Sequence, residues 1–534
     1  MFRSFLLATG ALGVAAAAAA KPNIVWIMAD DLGWGEPSAY PAGSKHGRIS
    51  TPHLDAFAAS GIRFTDAYAG YTVCAPSRTT LMTGFHSGHF GAKKLPGTSL
   101  PTSVDILTTP EMLQKAGYAT AGVGKMAPLN APVMQGFDYF IGQINQGLCH
   151  NMYPQAVDSG NTSGLNVNLT LNFKVPADAK AARTACMADP SAYNYTVDIT
   201  HEHSMAWIKN QGGKVRDAAK PFFLYEAFTV PHAGGWGHAP STPESGAPVP
   251  SDGMYAKQAA WPDVEKDHAA VITYLDNYVG KLVALLKSEQ IEKNTIVFFA
   301  SDNGAHLEGG HDYHFFNSTG GLLGHKRSLY EGGMRSPIMV SWPGTITPAV
   351  SHYAWAFWDF MPTVAELSGG TAGPGIDGVS IVPTLMGKTQ PPKEYLYWTW
   401  DGTGCGNRSP NNPQGTCSAG PDAAASSTPS AWVSEEQGNK LARRNTQTGE
   451  AIVEKSGKGS GYGMRVGDWK VVVAKCANNQ TNRPSKADVM EIYHLPSDPF
   501  EAKNVNATAA GVAQAKVFLT IAKKHDVSCH CFQC

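Results

Sequence analysis

The chain predicts an α/β fold: a large, mostly parallel sheet flanked by helices, with a smaller C-terminal α+β domain. Three observations carry that prediction. Near-continuous apolar runs recur, and each ends on polar residues: 23–29 before Asp30-Asp31, 118–124 before Lys125, 221–231 before His232, and 295–301 before Asp302-Asn303. Runs with so little alternation suit strands buried on both faces. Helical patterns lie between them, and strands alternating with helices build parallel sheets. After about residue 385 the texture shifts to Gly/Ser/Pro/Asn-rich sequence and short β-like pieces.

Taken in order, residues 1–20 carry Arg3, an apolar stretch from Phe5, and Ala18-Ala19-Ala20 before Lys21. This reads as a secretory signal peptide, too short and Ala-rich for a membrane span. Residues 52–59 form a helix stopped at Gly61, and 110–116 one stopped at Gly117. Val271, Tyr274, Leu275, Tyr278, Leu282, Leu285 and Leu286 recur at helical spacing. Residues 145–215, with three N-x-S/T sequons and two cysteines, read as a surface insertion, and 403–430 as a long loop pinned by Cys405–Cys417. Pieces at 463–474 and 490–495 and a helix near 511–524 complete the C-terminal α+β part.

Composition narrows the function. The 534 residues hold 42 Lys+Arg against 43 Asp+Glu, a net charge of −1, which removes the basic excess expected of a nucleic-acid binder. Hydrophobic residues at 43% and aromatics at 10% supply a large core and exclude disorder. Sequons at Asn161, Asn168, Asn194, Asn317, Asn407, Asn479 and Asn506 suit a glycosylated chain, secreted or lumenal, the lysosome included. Nine cysteines in an oxidising compartment leave one unpaired. In open α/β sheets ligands bind at the carboxyl ends of the strands. Four such ends here carry two carboxylates, a lysine, a histidine and an Asp-Asn pair, a convergence that is the first functional signal.

Residues 74–84 read Cys-Ala-Pro-Ser-Arg-Thr-Thr-Leu-Met-Thr-Gly. Taken alone they could be a helix start with a disulfide cysteine, but the pattern resembles the sulfatase signature. The likeness extends through 21–35, 117–125, 301–304, 308–312, 326–335, 467–470 and 491–501. It implies an alkaline-phosphatase-like fold, with a catalytic domain over 21–385 and an α+β subdomain over 386–534. It also implies conversion of Cys74 to formylglycine by a formylglycine-generating enzyme. Eight cysteines would then remain for pairing, with Cys149–Cys186 one candidate. Cys529, Cys531 and Cys534 have no assignable partners, and disulfides suit such a tail better than a Zn site.

Asp30, Asp31, Asp302 and Asn303 are hard oxygen donors suited to Ca²⁺ or Mg²⁺. The resemblance favours Ca²⁺, with the modified Cys74 as a further ligand. In the family mechanism, the hydrated aldehyde attacks sulfur through one hydroxyl and expels sulfate through the other. Arg78 corresponds to the residue holding that hydrate, and Lys125 and Lys326 to lysines contacting sulfate. His232 corresponds to a histidine near the leaving oxygen, a candidate general acid and substrate contact. The sequence departs at Ala127, where many sulfatases have histidine, and His150 is the expected replacement. Among His306, His311 and His314, His311 is the expected substrate contact, and a Zn site there lacks an apparent fourth ligand. The substrate class is a sulfated small molecule or sulfated carbohydrate, with no membrane span after leader removal. The alternatives are a phosphate or phosphonate ester hydrolase of the same superfamily, and a non-catalytic carbohydrate-binding relative.

Overall fold

The fold is that of a computed structural model. It describes residues 21–400 apart from 42, 90–98, 101, 104, 162–163, 171, 173, 177, 211–216, 218 and 237–244, and then residues 443–444, 451–452, 461–474 and 489–524. The leader, Cys405, Cys417, Cys476 and the three terminal cysteines lie outside the described residues.

Ten strands form the main sheet: β1 (Asn23–Asp30), β2 (Ile62–Phe64), β3 (Ala119–Lys125), β4 (Tyr139–Gln143), β5 (Ala156–Asn161), β6 (Gly164–Thr170), β7 (Phe222–Pro231), β8 (Thr295–Ser301), β9 (Met339–Ser341) and β10 (Ala349–Ser351). Their spatial order is β10-β2-β9-β8-β1-β7-β3-β4-β5-β6. The five central strands β8, β1, β7, β3 and β4 run parallel, while β9, β5 and β6 pair antiparallel. All eight residues of β1 are buried. Its alternate residues divide between two cores: Ile24, Trp26 and Met28 on one face, Val25, Ile27 and Ala29 on the other. That split is why its sequence shows no hydrophobic alternation.

Among the described residues, the helices of two turns or more are α1 (Pro52–Ala59), α2 (Cys74–Thr83), α3 (Thr109–Lys115), α4 (Ala179–Ala188), α5 (Thr196–Ile208), α6 (Asp263–Ser288), α7 (Phe360–Ser368) and α8 (Ala509–Lys524). Leu81, Met112 and Val364 bring α2, α3 and α7 to the Trp26 face, whereas Leu54, Trp207 and Leu275 bring α1, α5 and α6 to the other. Helix α6 is long and apolar enough to cross a bilayer by length and composition. Here Val271, Leu275, Tyr278, Leu282, Leu285 and Leu286 are buried in that second core.

Two expectations change. Residues 145–215 are not a mere surface insertion: β5 and β6 extend the sheet edge, and Trp207 of α5 is buried in the core. Cys149 and Cys186 are not bonded to each other, and both thiols are free and buried. Cys186 packs into the second core, while Cys149 Sγ donates to Gln146 O at 2.8 Å.

A four-stranded antiparallel sheet follows: β11 (Leu396–Trp400), β12 (Gly461–Val466), β13 (Trp469–Ala474) and β14 (Val489–His494). Strand β11 serves two cores, with Leu396, Trp398 and Trp400 facing the main domain and Tyr397 packing with Phe518 of α8. A buried ionic seam locks the sheet on. Lys470 Nζ lies 2.7 Å from Glu331 Oε1 and 3.1 Å from Glu501 Oε1, and Arg335 Nε donates to Glu331 Oε2 at 2.7 Å.

Candidate active site

Strand register builds the site. Ala29 pairs with Ser301 and Asp30 with Pro231, so Asp30-Asp31, His232 and Asp302-Asn303 leave adjacent parallel strands at the same edge. Strand β3 delivers Lys125 there as well, beyond the Gly124–Ala227 pair. Consecutive strand residues point to opposite faces. Asp31 escapes that rule by adopting a left-handed backbone (φ 68°), unusual for a residue with a Cβ. A donor atom of Asp31 thereby falls within 4.8 Å of donor atoms of Asp30 and His232. The turn is held by Asp31 N donating to Asp302 Oδ1 at 3.1 Å and Gly35 N to Ser318 O at 2.8 Å. Glycine is required at position 33, where a Cβ would sit 2.2 Å from Ser318 O.

Helix α2 begins at Cys74 and is buried along its whole length, ending on Gly84 in the left-handed conformation (φ 74°). Cys74 thus sits in the first turn, at the positive end of the helix dipole. Arg78 is one turn further along the same face. Donor atoms of Cys74, Asp30 and Asp302 lie within 4.8 Å of one another. Gln146 Nε2 donates to Cys74 Sγ at 2.9 Å. Burial pushes the Cys74 thiol up from its ordinary range, so it is protonated near neutral pH and a poor nucleophile as it stands.

Arg78 is fully buried. Its Nε and Nη2 each lie 2.8 Å from Asp302 Oδ2, and its Nη1 donates to Lys125 O at 3.1 Å. The guanidinium therefore anchors the carboxylates around Cys74. Two parallel chains then face each other. Lys125 Nζ contacts Asp30 Oδ2 (2.6 Å) and His150 Nε2 (2.9 Å). Lys326 Nζ contacts Asp31 Oδ2 (2.7 Å), His232 Nε2 (2.9 Å) and Glu308 Oε2 (2.9 Å). The two imidazoles stack with centroids 3.8 Å apart and planes 6° apart. His150 thus reaches Lys125 from the loop after β4, where the sequence offers only Ala127.

The charges are strongly perturbed. Burial opposes the ionised form of Asp30, but Lys125 and then Arg78 hold its carboxyl well below the usual range. Burial, and next the Asp30 charge, push Asp302 up to about 7. Asp31 is also raised, by burial against the pull of Lys326. Burial and Lys326 lower His232 to about 4. His232 Nδ1 faces Ala233 O, so the neutral ring carries its proton there and turns the Nε2 lone pair to Lys326.

Two oxygens bear on metal binding. Asp30 Oδ1 and Asn303 Oδ1 are buried and receive no hydrogen bond. A buried acceptor left unsatisfied costs about 1–3 kcal/mol, which a cation would relieve. With Asp31 and Asp302 alongside, the donors are hard oxygens, and the cluster fits a divalent ion of the Ca²⁺/Mg²⁺ class.

His311 is not brought to this pocket. Its Nδ1 pairs with Glu265 Oε2 at 2.8 Å, its ring stacks on His268, and it is 3% exposed, which corrects the expected substrate contact. Glu308 and Gln146 stand in the site without having been given roles from sequence. Glu308 had a usable signal, since it opens the Glu-Gly-Gly-His segment; Gln146 had none.

A model of the Sulfatase family matches residues 22–370, which is more than half of the chain. The chain belongs to the sulfatase family. It is 31% identical over 420 residues to human arylsulfatase A, covering 74% of this chain and 73% of that protein. It is 31% identical over 405 residues to rat N-acetylgalactosamine-6-sulfatase, covering 70% and 68%. Among solved structures it resembles a protein in complex with its substrate D-glucosamine-2-N,6-O-disulfate, at TM-score 0.62 and 20% identity, covering 95% of this chain and 98% of that one. This sulfatase therefore has the family's enzymatic fold, with carboxylate groups placed to hold a metal.

Proposed function

We propose that this sulfatase hydrolyses the sulfate monoester of an aryl alcohol or a carbohydrate, with Cys74 converted to formylglycine and Ca²⁺ held by Asp30, Asp31, Asp302 and Asn303. The observation that carries the proposal is the meeting of Cys74 with Asp30 and Asp302 within 4.8 Å, beside two buried acceptor oxygens with no donor. A thiol cannot supply the two oxygens that attack and release of sulfate require, whereas a hydrated aldehyde can. A divalent ion there would offset the negative charge of the ester and polarise its sulfur–oxygen bonds.

The remaining tasks fall to this chain's own side chains. Arg78 fixes Asp30 and Asp302, so neither carboxylate needs to reorganise during the reaction. Lys125 and Lys326 present ammonium groups to sulfate oxygens from opposite sides. His150, on Lys125 Nζ, accepts a proton from the nucleophilic hydroxyl. The proton for the departing alkoxide resides between Lys326 Nζ and His232 Nε2, 2.9 Å apart. An arriving sulfate ester counters the positive charge of Lys326 and raises the proton affinity of His232. Entry into the secretory pathway is proposed with this function, supported by the exposure of the sequon residues Asn161, Asn194 and Asn506.

The test is product release from paired aryl sulfate and aryl phosphate esters. Sulfate release that exceeds phosphate release and vanishes in Cys74→Ala is expected. Preferential phosphate release would assign the chain to the phosphate or phosphonate ester hydrolases instead.

A further inference from the structure

A second group of metal-binding side chains lies apart from the carboxylate pocket. Glu36 follows the Asp31 turn, and its buried carboxylate accepts Gly33 N at 2.6 Å through Oε2. Its Oε1 lies 2.6 Å from Nε2 of His268, a residue of α6. Glu265, one turn earlier on α6, receives His311 Nδ1 at 2.8 Å and Asp312 N at 2.8 Å. The His268 and His311 rings stack at 3.6 Å. One donor atom from each of Glu36, His268 and His311 lies within 4.8 Å of the other two, and the three residues are at most 3% exposed.

Two buried hydrogen-bonded His–Glu pairs would be the structural reading, but it leaves ring nitrogens unexplained. His311 Nε2 and His268 Nδ1 are buried without a partner. A carboxylate only accepts, so the neutral His311 ring places its proton on Nδ1 toward Glu265 and leaves a lone pair on Nε2. A carboxylate fixing one imidazole nitrogen while the other is free is the arrangement that orients metal-bound histidines. His306 is the contrasting neighbour. Its Nδ1 accepts Glu308 N at 3.2 Å, so the neutral ring carries its proton on Nε2 and has no lone pair to give.

We propose that Glu36, His268 and His311 bind a second divalent cation of the Zn²⁺ type, which releases to solvent the proton held between His268 Nε2 and Glu36 Oε1, with Glu265 orienting His311. Two imidazoles and one carboxylate suit Zn²⁺, whereas the oxygen-only pocket suits Ca²⁺. The site would tie α6 to the segments after β1 and β8, which follow Asp30-Asp31 and Asp302-Asn303 in the chain. It is independent of the hydrolytic reading, since it uses none of the residues proposed to act on sulfate.

The test uses the full-length protein, stripped with chelator and held in excess Ca²⁺. Added Co²⁺ should give the visible absorption of a tetrahedral, nitrogen-ligated ion, and added Zn²⁺ should remain at one ion per chain after gel filtration. Asp302→Asn should keep both signals; His268→Ala and His311→Ala should lose them. Glu265→Gln should weaken Zn²⁺ binding by ~10–100-fold. Wild-type protein that retains no Zn²⁺ and shows no such Co²⁺ band would overturn the proposal without recourse to any variant. Retention of Zn²⁺ by folded His268→Ala and His311→Ala at the wild-type level would overturn it as well.

Discussion

The sulfatase buries two sets of opposed charges, and they differ in completeness. In the pocket, Asp30, Asp31 and Asp302 face Arg78, Lys125 and Lys326; in the seam, Asp66, Glu331 and Glu501 face Arg335, Arg465 and Lys470. Both sets contain one carboxylate pushed up to about 7, Asp302 and Glu501, by burial first. A perturbed carboxyl therefore does not tell function from structure. What separates the two is the leftover capacity. Glu331 Oε1 takes Lys470, and its Oε2 takes Tyr68 and Arg335; Glu501 Oε1 receives no hydrogen bond, but Lys470 Nζ lies 3.1 Å from it. In the pocket, Asp30 Oδ1 and Asn303 Oδ1 take nothing from the protein. Charges that close on themselves hold the two sheets together, whereas charges left open can receive a ligand.

Four outcomes would sharpen or break that contrast. Cys74→Ala should lower turnover by at least ~10³-fold with the melting temperature unchanged, read by steady-state kinetics and calorimetry. Lys470→Met leaves Glu501 without its cation and Glu331 with Arg335 alone, and should cost about 3–5 kcal/mol of stability, measured by denaturant unfolding. Its turnover per folded molecule should remain that of wild type; lost turnover would mean the seam reaches into catalysis. His150→Ala should reduce kcat by ~10²-fold, and wild-type turnover would remove it from the mechanism.

The smallest effect is one of pH. The folded-state value of Asp302 lies above its unfolded one, so the protonated group stabilises at low pH and that contribution is lost as pH rises through about 7. Glu331 is held low against burial, by Lys470 and then Arg335; its contribution is present above the ordinary carboxylate range and lost as pH falls. Melting temperatures of metal-stripped protein should thus decline by a few degrees on both flanks. Ca²⁺ should cancel part of the alkaline decline and leave the acid one untouched. The alkaline remainder belongs to Glu501 and to Asp267, which burial also pushes up to about 7.

Much of the pocket was legible because each central strand is buried on both faces, so an apolar run stops where the chemistry starts, at Asp30, Lys125, His232 and Asp302. The Cys74 segment was legible through its resemblance to the sulfatase signature. The seam was not, since Lys470 meets Glu331 across 139 positions and Glu331 N meets Glu501 across 170. Strand β5 escaped notice because residues 156–161 hold Asp, Ser, Gly and Asn and little apolar pattern, whereas β6 had a usable signal in the alternation of Leu165, Val167 and Leu169 with Asn166, Asn168 and Thr170. His311 misled through proximity in sequence to Glu308. Its side chain is drawn the other way by Glu265, which takes both His311 Nδ1 and Asp312 N.

Mass spectrometry of the tryptic peptide containing Cys74, taken from protein that is turning over a sulfate ester, tests the central claim most directly. The mass of an aldehyde in place of the thiol, trapped by a hydrazine reagent, is the predicted result. Full turnover from protein whose Cys74 is an unmodified thiol would contradict it.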